Sequence, residues 1–313
     1  MQRRDPTPKP TQASRGAAFL AGFESAVAAA FPTADAYRHD VAKFAWDAFR
    51  IKLWHKQVEI ATALTKHNRV AVKSGHKIGK SILLAVLAWW WVTVMPRGTV
   101  IMTSASGRQV KITLWKEIRK LYALHLKHKT PFHFPAPAKL PATGVEYDDG
   151  RAILGFSTDD AERMAGISGD QLLFLLDEAS GIKEEIHTAV EGNCAAGPGC
   201  AVLMTSNPTQ VSGTFFDAFN RAKSDWSTFT VSSEETPNAV SGQDLFPGLA
   251  SKSWVEKRKR AWGADSPRYA VRVKGNFPLQ GDDTVFPLGV IDTAQARWFQ
   301  DAAPDSDDIA VPV

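Results

Sequence analysis

The sequence predicts an α/β fold built around a mainly parallel β-sheet, with an N-terminal helical subregion. Short apolar runs lie at 70–72, 99–106, 171–179 and 199–209, and stretches with helical periodicity separate them. These runs lack polar alternation, which is typical of strands that are buried on both faces. Three of them end in polar or acidic residues, and parallel sheets bind ligands at the carboxyl ends of their strands. A ligand site is therefore expected at that edge.

Composition and local sequence divide the chain into four parts. Of its 313 residues, 44% are hydrophobic and 22% are charged, which predicts a folded domain with a substantial core. The net charge of +4 permits nucleic acid as a partner but does not require it. The predicted parts are a disordered polar arm (1–16), a helical subregion (17–66), the core (67–280) and a loop-like tail (281–313).

The apolar runs and the cysteines indicate in which cellular compartment the chain is expected. The longest apolar run, 82–95, is shorter than the roughly 20 residues that span a bilayer, and no signal-peptide pattern precedes it. We therefore expect no membrane contact and a buried helix that places Trp89–Trp91 in the core. Cys194 and Cys200 are expected to be two small residues of a glycine-rich loop in a reducing compartment, rather than a redox or metal pair.

A phosphate-binding loop is predicted between the first strand and this helix. The spacing of its glycine and lysine fits the pattern, although a serine stands in place of the usual first glycine. Backbone N–H groups in such a loop bind phosphate oxygens, and the helix N-terminus adds positive potential. Lysine is expected to reach the β- and γ-phosphates and serine to ligate Mg²⁺. The alternative is an ordinary turn before a helix. The predicted positions are Ser74, Gly75, His76, Lys77, Ile78, Gly79, Lys80 and Ser81.

Two adjacent carboxylates end the apolar strand that begins at Gln171. Asp177 is expected to hold Mg²⁺, and Glu178 is expected to polarise the attacking water. The alternative is an acidic pair that only stabilises a helix N-terminus. Together with the loop, the pair favours hydrolysis over nucleotide binding alone.

A third apolar strand ends in Thr205, Ser206 and Asn207. These side chains are expected beside the other two motifs, where they would sense the γ-phosphate. The alternative is turn chemistry, because Asn-Pro favours turns. The three motifs predict a P-loop nucleoside triphosphatase of the additional-strand, RecA-like type, with ATP and Mg²⁺ as its cofactors.

The order of these motifs resembles the large subunit of tailed-phage terminases. The resemblance rests on Trp54-His55-Lys56-Gln57, the phosphate loop, MTSASGRQV, LLFLLDEASGI and TSNPT. The segment 269–278 resembles the one that closes the ATPase domain of that family. The likeness covers roughly residues 45–290. It implies an ATP-hydrolysing motor that translocates double-stranded DNA into a viral procapsid.

The resemblance also implies residue roles and partners. Gln57 matches a glutamine that contacts adenine, and its alternative is a solvated helix residue. Thr205 and Asn207 would couple hydrolysis to movement. The implied partners are double-stranded DNA, a portal protein, a small terminase subunit and further copies of the chain in a five-membered ring. The implied location is the bacterial host cytoplasm, transiently at the procapsid portal.

Two departures from the family concern basic residues. Many members carry a basic residue inside the loop, and His76 or Lys77 matches it only loosely. Arg163 is the nearest candidate for an arginine that acts on a neighbour's ATP, offset by two residues, with a surface arginine as the alternative.

A third departure concerns the end of the chain. Family members continue into a nuclease domain with an acidic metal cluster, whereas this chain ends at Val313. We expect no nuclease activity from it, and we expect Asp305, Asp307 and Asp308 to form a solvated tail.

DNA contacts and the exact function leave alternatives open. The basic stretches 251–260 and 108–120 are candidate phosphate contacts, and solvated helix faces are their alternative. Another P-loop DNA translocase or helicase is a rival function, although no helicase motif follows the third strand. An ATP-binding assembly module with little turnover is the other rival.

Overall fold

A computed structural model describes most of the chain. It describes residues 34–128, 144–157, 161–195, 199–278, and residues 294, 297 and 298. The predicted arm (1–16), the start of the helical subregion and almost all of the tail (281–313), including its three aspartates, lie outside the described residues.

The core is a seven-stranded sheet with one antiparallel pair. The strand order is β3-β4-β2-β5-β6-β1-β7, and only β3 and β4 run antiparallel. A hairpin around Asp149 and Gly150 joins that pair. The strands are β1 (Arg69–Ser74), β2 (Gly98–Ser104), β3 (Gly144–Glu146), β4 (Ala152–Gly155), β5 (Gln171–Asp177), β6 (Cys200–Ser206) and β7 (Ser227–Val231).

Helices cover both faces of the sheet, as the unbroken apolar strands require. The helices are α1 (Ala34–Tyr37), α2 (Val41–Phe49), α3 (His55–Lys66), α4 (Lys80–Val94), α5 (Gly107–Gln109), α6 (Trp115–His128), α7 (Ala161–Ala165), α8 (Glu184–Cys194), α9 (Thr214–Asp217), α10 (Pro237–Ser241), α11 (Lys252–Trp262) and α12 (Pro267–Tyr269). Wider turns, Val110–Leu114 and Ala270–Lys274, follow α5 and α12.

One face of the sheet carries the larger core cluster, in which α4 is buried on all sides. The three tryptophans at 89–91 are buried, so the prediction that they belong to the core is confirmed. The indole of Trp89 donates to the carbonyl of Ile118, and that of Trp90 donates to the carbonyl of Tyr37. These bonds join α4 to α6 and to α1. The described N-terminal helices are therefore part of the same packed unit as the sheet.

The two cysteines form a disulfide bond, so the prediction of two unlinked small residues is wrong. Helix α8 ends at Cys194 and β6 begins at Cys200, which brings their Cα atoms to 5.2 Å. That separation lies within the range that a disulfide spans. The sequence gives no measure of this distance, because it depends on how α8 returns to the sheet.

None of the helices in the described part of the chain combines the length and the apolar character that crossing a bilayer requires.

Candidate active site

The three predicted motifs end at one edge of the sheet on adjacent strands. In the pairing register, Asp177 of β5 is opposite Thr205 of β6, and Ser206 of β6 is opposite Lys73 of β1. The strand order β5-β6-β1 thus places the acidic pair, the polar exit and the phosphate loop side by side. This agrees with the expectation that a parallel sheet gathers its ligand-binding groups at its carboxyl edge.

The loop from 74 to 81 links β1 to α4 through two left-handed residues. Lys77 has φ 59° and Gly79 has φ 86°, a region that suits glycine and is uncommon for other residues. A β-carbon at Gly79 would lie 2.6 Å from the amide nitrogen of Gln57, so a larger residue there would displace this glutamine side chain. Helix α4 begins at Lys80, and its free N–H groups face the loop.

Lys80 and Glu178 face each other across this loop. Their Nζ and Oε1 atoms are 3.9 Å apart, and the lysine side chain is 11% exposed. Glu178 has φ 51°, so the chain turns sharply straight after Asp177 and a short 3₁₀ turn follows. Glu178 is the N-cap residue of this turn but makes no side-chain capping hydrogen bond, so helix capping does not explain its position. Lys80 and Glu178 also line a cavity of about 350 Å³.

Asp177 is buried beneath this pair. The hydroxyl of Thr205 donates to its Oδ1 atom at 3.1 Å. Burial raises the pKa of Asp177 to about 6, although the nearby charge of Lys80 opposes the shift. The carboxylate is therefore a group whose negative charge the protein alone does not fully compensate.

The exit of β6 is tied to the phosphate loop. The side-chain amide of Asn207, which is buried, donates to the backbone carbonyl of Ser74 at 2.5 Å. The hydroxyl of Ser206 accepts from the backbone N–H of Ser180, two residues after Glu178. A turn role alone does not explain these contacts, because they connect the exit of β6 to both other motifs.

Gln57 is buried against the loop, so the alternative of a solvated helix residue is wrong. Its Nε2 atom donates to the carbonyl of Gly79 at 2.9 Å, and its Oε1 atom accepts from the backbone N–H of Trp54. The indole of Trp54 donates to the carbonyl of Ile78 at 3.0 Å. Trp54 and Gln57 thus hold the second half of the loop from its outer side.

Chain segments far along the sequence hold the first half of the loop. The backbone N–H of His76 donates to the carbonyl of Arg272, and the Ser233 hydroxyl donates to the carbonyl of His76. Gly275, at φ 71°, lies so close to β1 that a β-carbon would approach Ser74 Cα to 2.6 Å. The segment 270–276 therefore packs its backbone directly on the loop. Sequence reasoning recognised this segment by resemblance but gave no contact for it.

Comparisons with known proteins agree with this geometry. No protein-family model matches the chain. A curated relative from Enterobacteria phage P7, described as a probable terminase, large subunit, is 25% identical over 278 residues. The match covers 83% of this chain and 53% of that protein, so the chain spans about half of the relative's length.

Two solved structures share the fold. The large terminase of a thermophilic bacteriophage aligns with a TM-score of 0.54 at 12% identity, over 73% of this chain and 54% of that one. The large terminase ATPase domain of Thermus phage P74-26 aligns with a TM-score of 0.50 at 17% identity, over 74% of this chain and 96% of that one. The predicted resemblance to terminase large subunits is confirmed. The predicted α/β, P-loop fold class is confirmed with it.

Three predicted positions in this terminase-like chain are less well explained. Arg163 is an exposed residue of α7, with its guanidinium 5.8 Å from the ring centre of Phe156, and it is not among the described residues that line the cavity at the loop. Its action on a neighbour's ATP stays a prediction. Of the two basic stretches, 251–260 lies mainly on α11, and 108–120 spans the turns after α5 and the start of α6. Their contact with DNA also stays a prediction.

Replacing Gln57 by leucine is expected to weaken ATP binding about tenfold, because the loop loses one buried hydrogen bond worth about 1.4 kcal/mol. Titration of ATP and of GTP into both proteins measures the effect. Equal losses for the two nucleotides assign Gln57 to the loop, and a larger loss for ATP adds the predicted adenine contact. Unchanged affinity for both would contradict both roles.

Proposed function

We propose that this chain is an ATP-hydrolysing motor that translocates double-stranded DNA into a viral procapsid. The observation that carries the proposal is the meeting of Lys80, Asp177 and Glu178 at one edge of a terminase-like sheet. A binding module needs a phosphate loop only, whereas an acidic pair facing that loop is what hydrolysis requires.

Binding is assigned to the loop. The backbone N–H groups of residues 77–81 and the Lys80 ammonium group hold the β- and γ-phosphates, and the N-terminus of α4 adds its positive potential. The same large terminase of a thermophilic bacteriophage is also described in complex with ADP (TM-score 0.53, 13% identity, 72% of this chain and 53% of that one). By likeness of fold, the nucleotide of this chain is proposed to be ATP.

Ser81 and Asp177 would hold Mg²⁺. Both present oxygen atoms, the ligands that Mg²⁺ prefers. The raised pKa of Asp177 fits a bound cation, because a divalent charge would supply the compensation that burial leaves lacking. A bound Mg²⁺ would supply positive charge that stabilises the negative charge developing on the phosphate during hydrolysis.

Glu178 is assigned the activation of the attacking water molecule. Its carboxylate orients a water molecule, takes one of its protons, and the water oxygen bonds to the γ-phosphorus. The bond between that phosphorus and the oxygen bridging to ADP breaks, and inorganic phosphate leaves. The salt bridge to Lys80 holds the glutamate near the loop before nucleotide arrives, and phosphate then competes for the lysine.

Coupling to movement is assigned to the exit of β6. Thr205 touches the metal-binding carboxylate, and Asn207 touches the backbone of the phosphate loop. A change at the γ-phosphate therefore reaches β6 through two direct hydrogen bonds. The proposed partners are double-stranded DNA, a portal protein, a small terminase subunit and a ring of five copies, which acts in the host cytoplasm at the procapsid portal.

Phosphate release by the full chain, with and without portal-bearing procapsids and DNA, tests this function. We expect ATP-dependent release that disappears when EDTA removes Mg²⁺ and returns when Mg²⁺ is restored. DNA protected from nuclease inside the procapsids measures translocation. Release without DNA protection in the complete system would favour another translocase. Binding without release there would favour an assembly module.

A further inference from the structure

Within the phosphate loop, Lys80 is the positively charged side chain that is largely shielded from solvent. Besides Lys80, the loop contains His76 and Lys77, and Lys77 is exposed. His76 is half-buried, and burial, together with the charges of Lys80 and Arg272, lowers its pKa to about 4. The imidazole is therefore neutral at physiological pH. Neither residue supplies a fixed, shielded positive charge to a bound triphosphate.

Arg272 lies beside the first half of the phosphate loop. Its backbone carbonyl accepts the N–H of His76 at 2.8 Å, which fixes it beside the first half of the loop. Its side chain is half-buried and acts electrostatically on the His76 imidazole. None of the ion pairs between described residues includes Arg272. A half-buried guanidinium keeps its charge and has donors left for an anion.

Arg272 also lines a cavity near the carboxyl ends of the strands. A cavity of about 920 Å³ is lined by His76 and Arg272 on one side and by Thr209 and Gln210, just beyond β6, on another. The hydroxyl of Ser180 accepts from the N–H of Gln210 and joins this wall to the turn that carries Glu178. The cavity therefore lies between the loop and the exits of β5 and β6. The smaller cavity, which Lys80 and Glu178 line, meets the same loop at Lys77, the neighbour of His76.

We propose that Arg272 contacts the terminal phosphate of ATP, from outside the loop, as the second fixed positive charge of the site. This rests on the proposed ATPase function and adds a residue to it. A guanidinium suits the role because it binds phosphate oxygens through paired N–H donors. ADP has no γ-phosphate, so the contact distinguishes the nucleotide before hydrolysis from the nucleotide after it.

The test compares ATPγS and ADP binding, each with Mg²⁺, to the full chain and to Arg272→Gln, by competition with a fluorescent ADP. We expect ATPγS affinity to fall about tenfold or more, the size of one lost charge-assisted hydrogen bond. ADP affinity should stay within about twofold, since the missing contact is to the γ-phosphate. Arg272→Lys should recover part of the ATPγS affinity, because it restores the charge without the fork geometry.

Arg268→Gln is the matched control. This exposed arginine lines the same cavity, but its guanidinium stacks on Trp262, 4.5 Å from the ring centre. An equal loss of ATPγS affinity in Arg268→Gln would mean that the positive charge of the cavity as a whole, rather than a direct contact from Arg272, attracts the phosphate. Equal losses of ATPγS and ADP in Arg272→Gln would assign Arg272 to loop structure. Either result, or an unchanged ATPγS affinity, overturns the proposal. Lys80→Ala should weaken both nucleotides and so tests the ATP site itself.

Discussion

Glu178→Gln should abolish most phosphate release while leaving ATP binding nearly intact. Glutamine keeps the size and one acceptor oxygen, but it cannot take a proton from water, which accounts for about 10²- to 10⁴-fold in rate. Binding is expected to stay within about threefold or to improve, because Lys80 loses its salt-bridge partner and becomes free for phosphate. Single-turnover phosphate release and equilibrium nucleotide titration separate the two effects.

Glu185→Gln is the control for this prediction, since it removes an exposed carboxylate at the start of α8. It should release phosphate at the wild-type rate. A Glu178→Gln protein that retains more than about a tenth of wild-type turnover would remove the glutamate from the chemistry. Loss of ATP binding in the same protein would instead mean that Glu178 shapes the loop. Procapsids and DNA belong in both assays, because a neighbouring subunit could contribute to turnover.

Much of the fold and the acidic half of the site could be predicted from local patterns. The strand β5 is apolar at every position before Asp177 except its first, and a strand buried on both faces favours that pattern. Its carboxylates then stand at the edge that parallel strands share. Helix α4 was predictable for a similar reason, since eleven of its fifteen residues are buried. Each of these inferences needs only residues close together in the chain.

Contacts between distant segments could not be predicted in this way. The bond from Asn207 to Ser74 spans 133 residues, and that from Ser233 to His76 spans 157. Nothing in the local sequence of either partner records the distance between them. The Cys194–Cys200 bond was missed for the same reason despite a separation of 6, because the path of α8 decides it. The sequence did not indicate Arg272, because its proposed role depends on a backbone hydrogen bond to His76, 196 residues away.

Gly75→Ala should destabilise the fold by about 3 kcal/mol and loosen the phosphate loop, the size typical of a forced fit in a packed interior. A β-carbon at Gly75 would overlap the carbonyl oxygen of Val273 and the hydroxyl of Ser233, and would lie 2.8 Å from the Val273 carbonyl carbon. The backbone of Val273 cannot turn away as a flexible side chain does. The segment 270–276 must therefore move off the loop, and both the melting temperature and ATP affinity should fall.

Gly192→Ala is expected to have the opposite effect on stability. Gly192 is an exposed residue in α8, and a β-carbon there would meet nothing within 4 Å. Alanine should stabilise the protein by about 0.5–1 kcal/mol, because it lowers the entropy of the unfolded chain and favours helix. Thermal denaturation with and without ATP measures both variants. If Gly75→Ala melted like the wild type, the close packing of 270–276 on the loop would be wrong. If it melted lower but bound ATP normally, that packing would stabilise the domain without shaping its site.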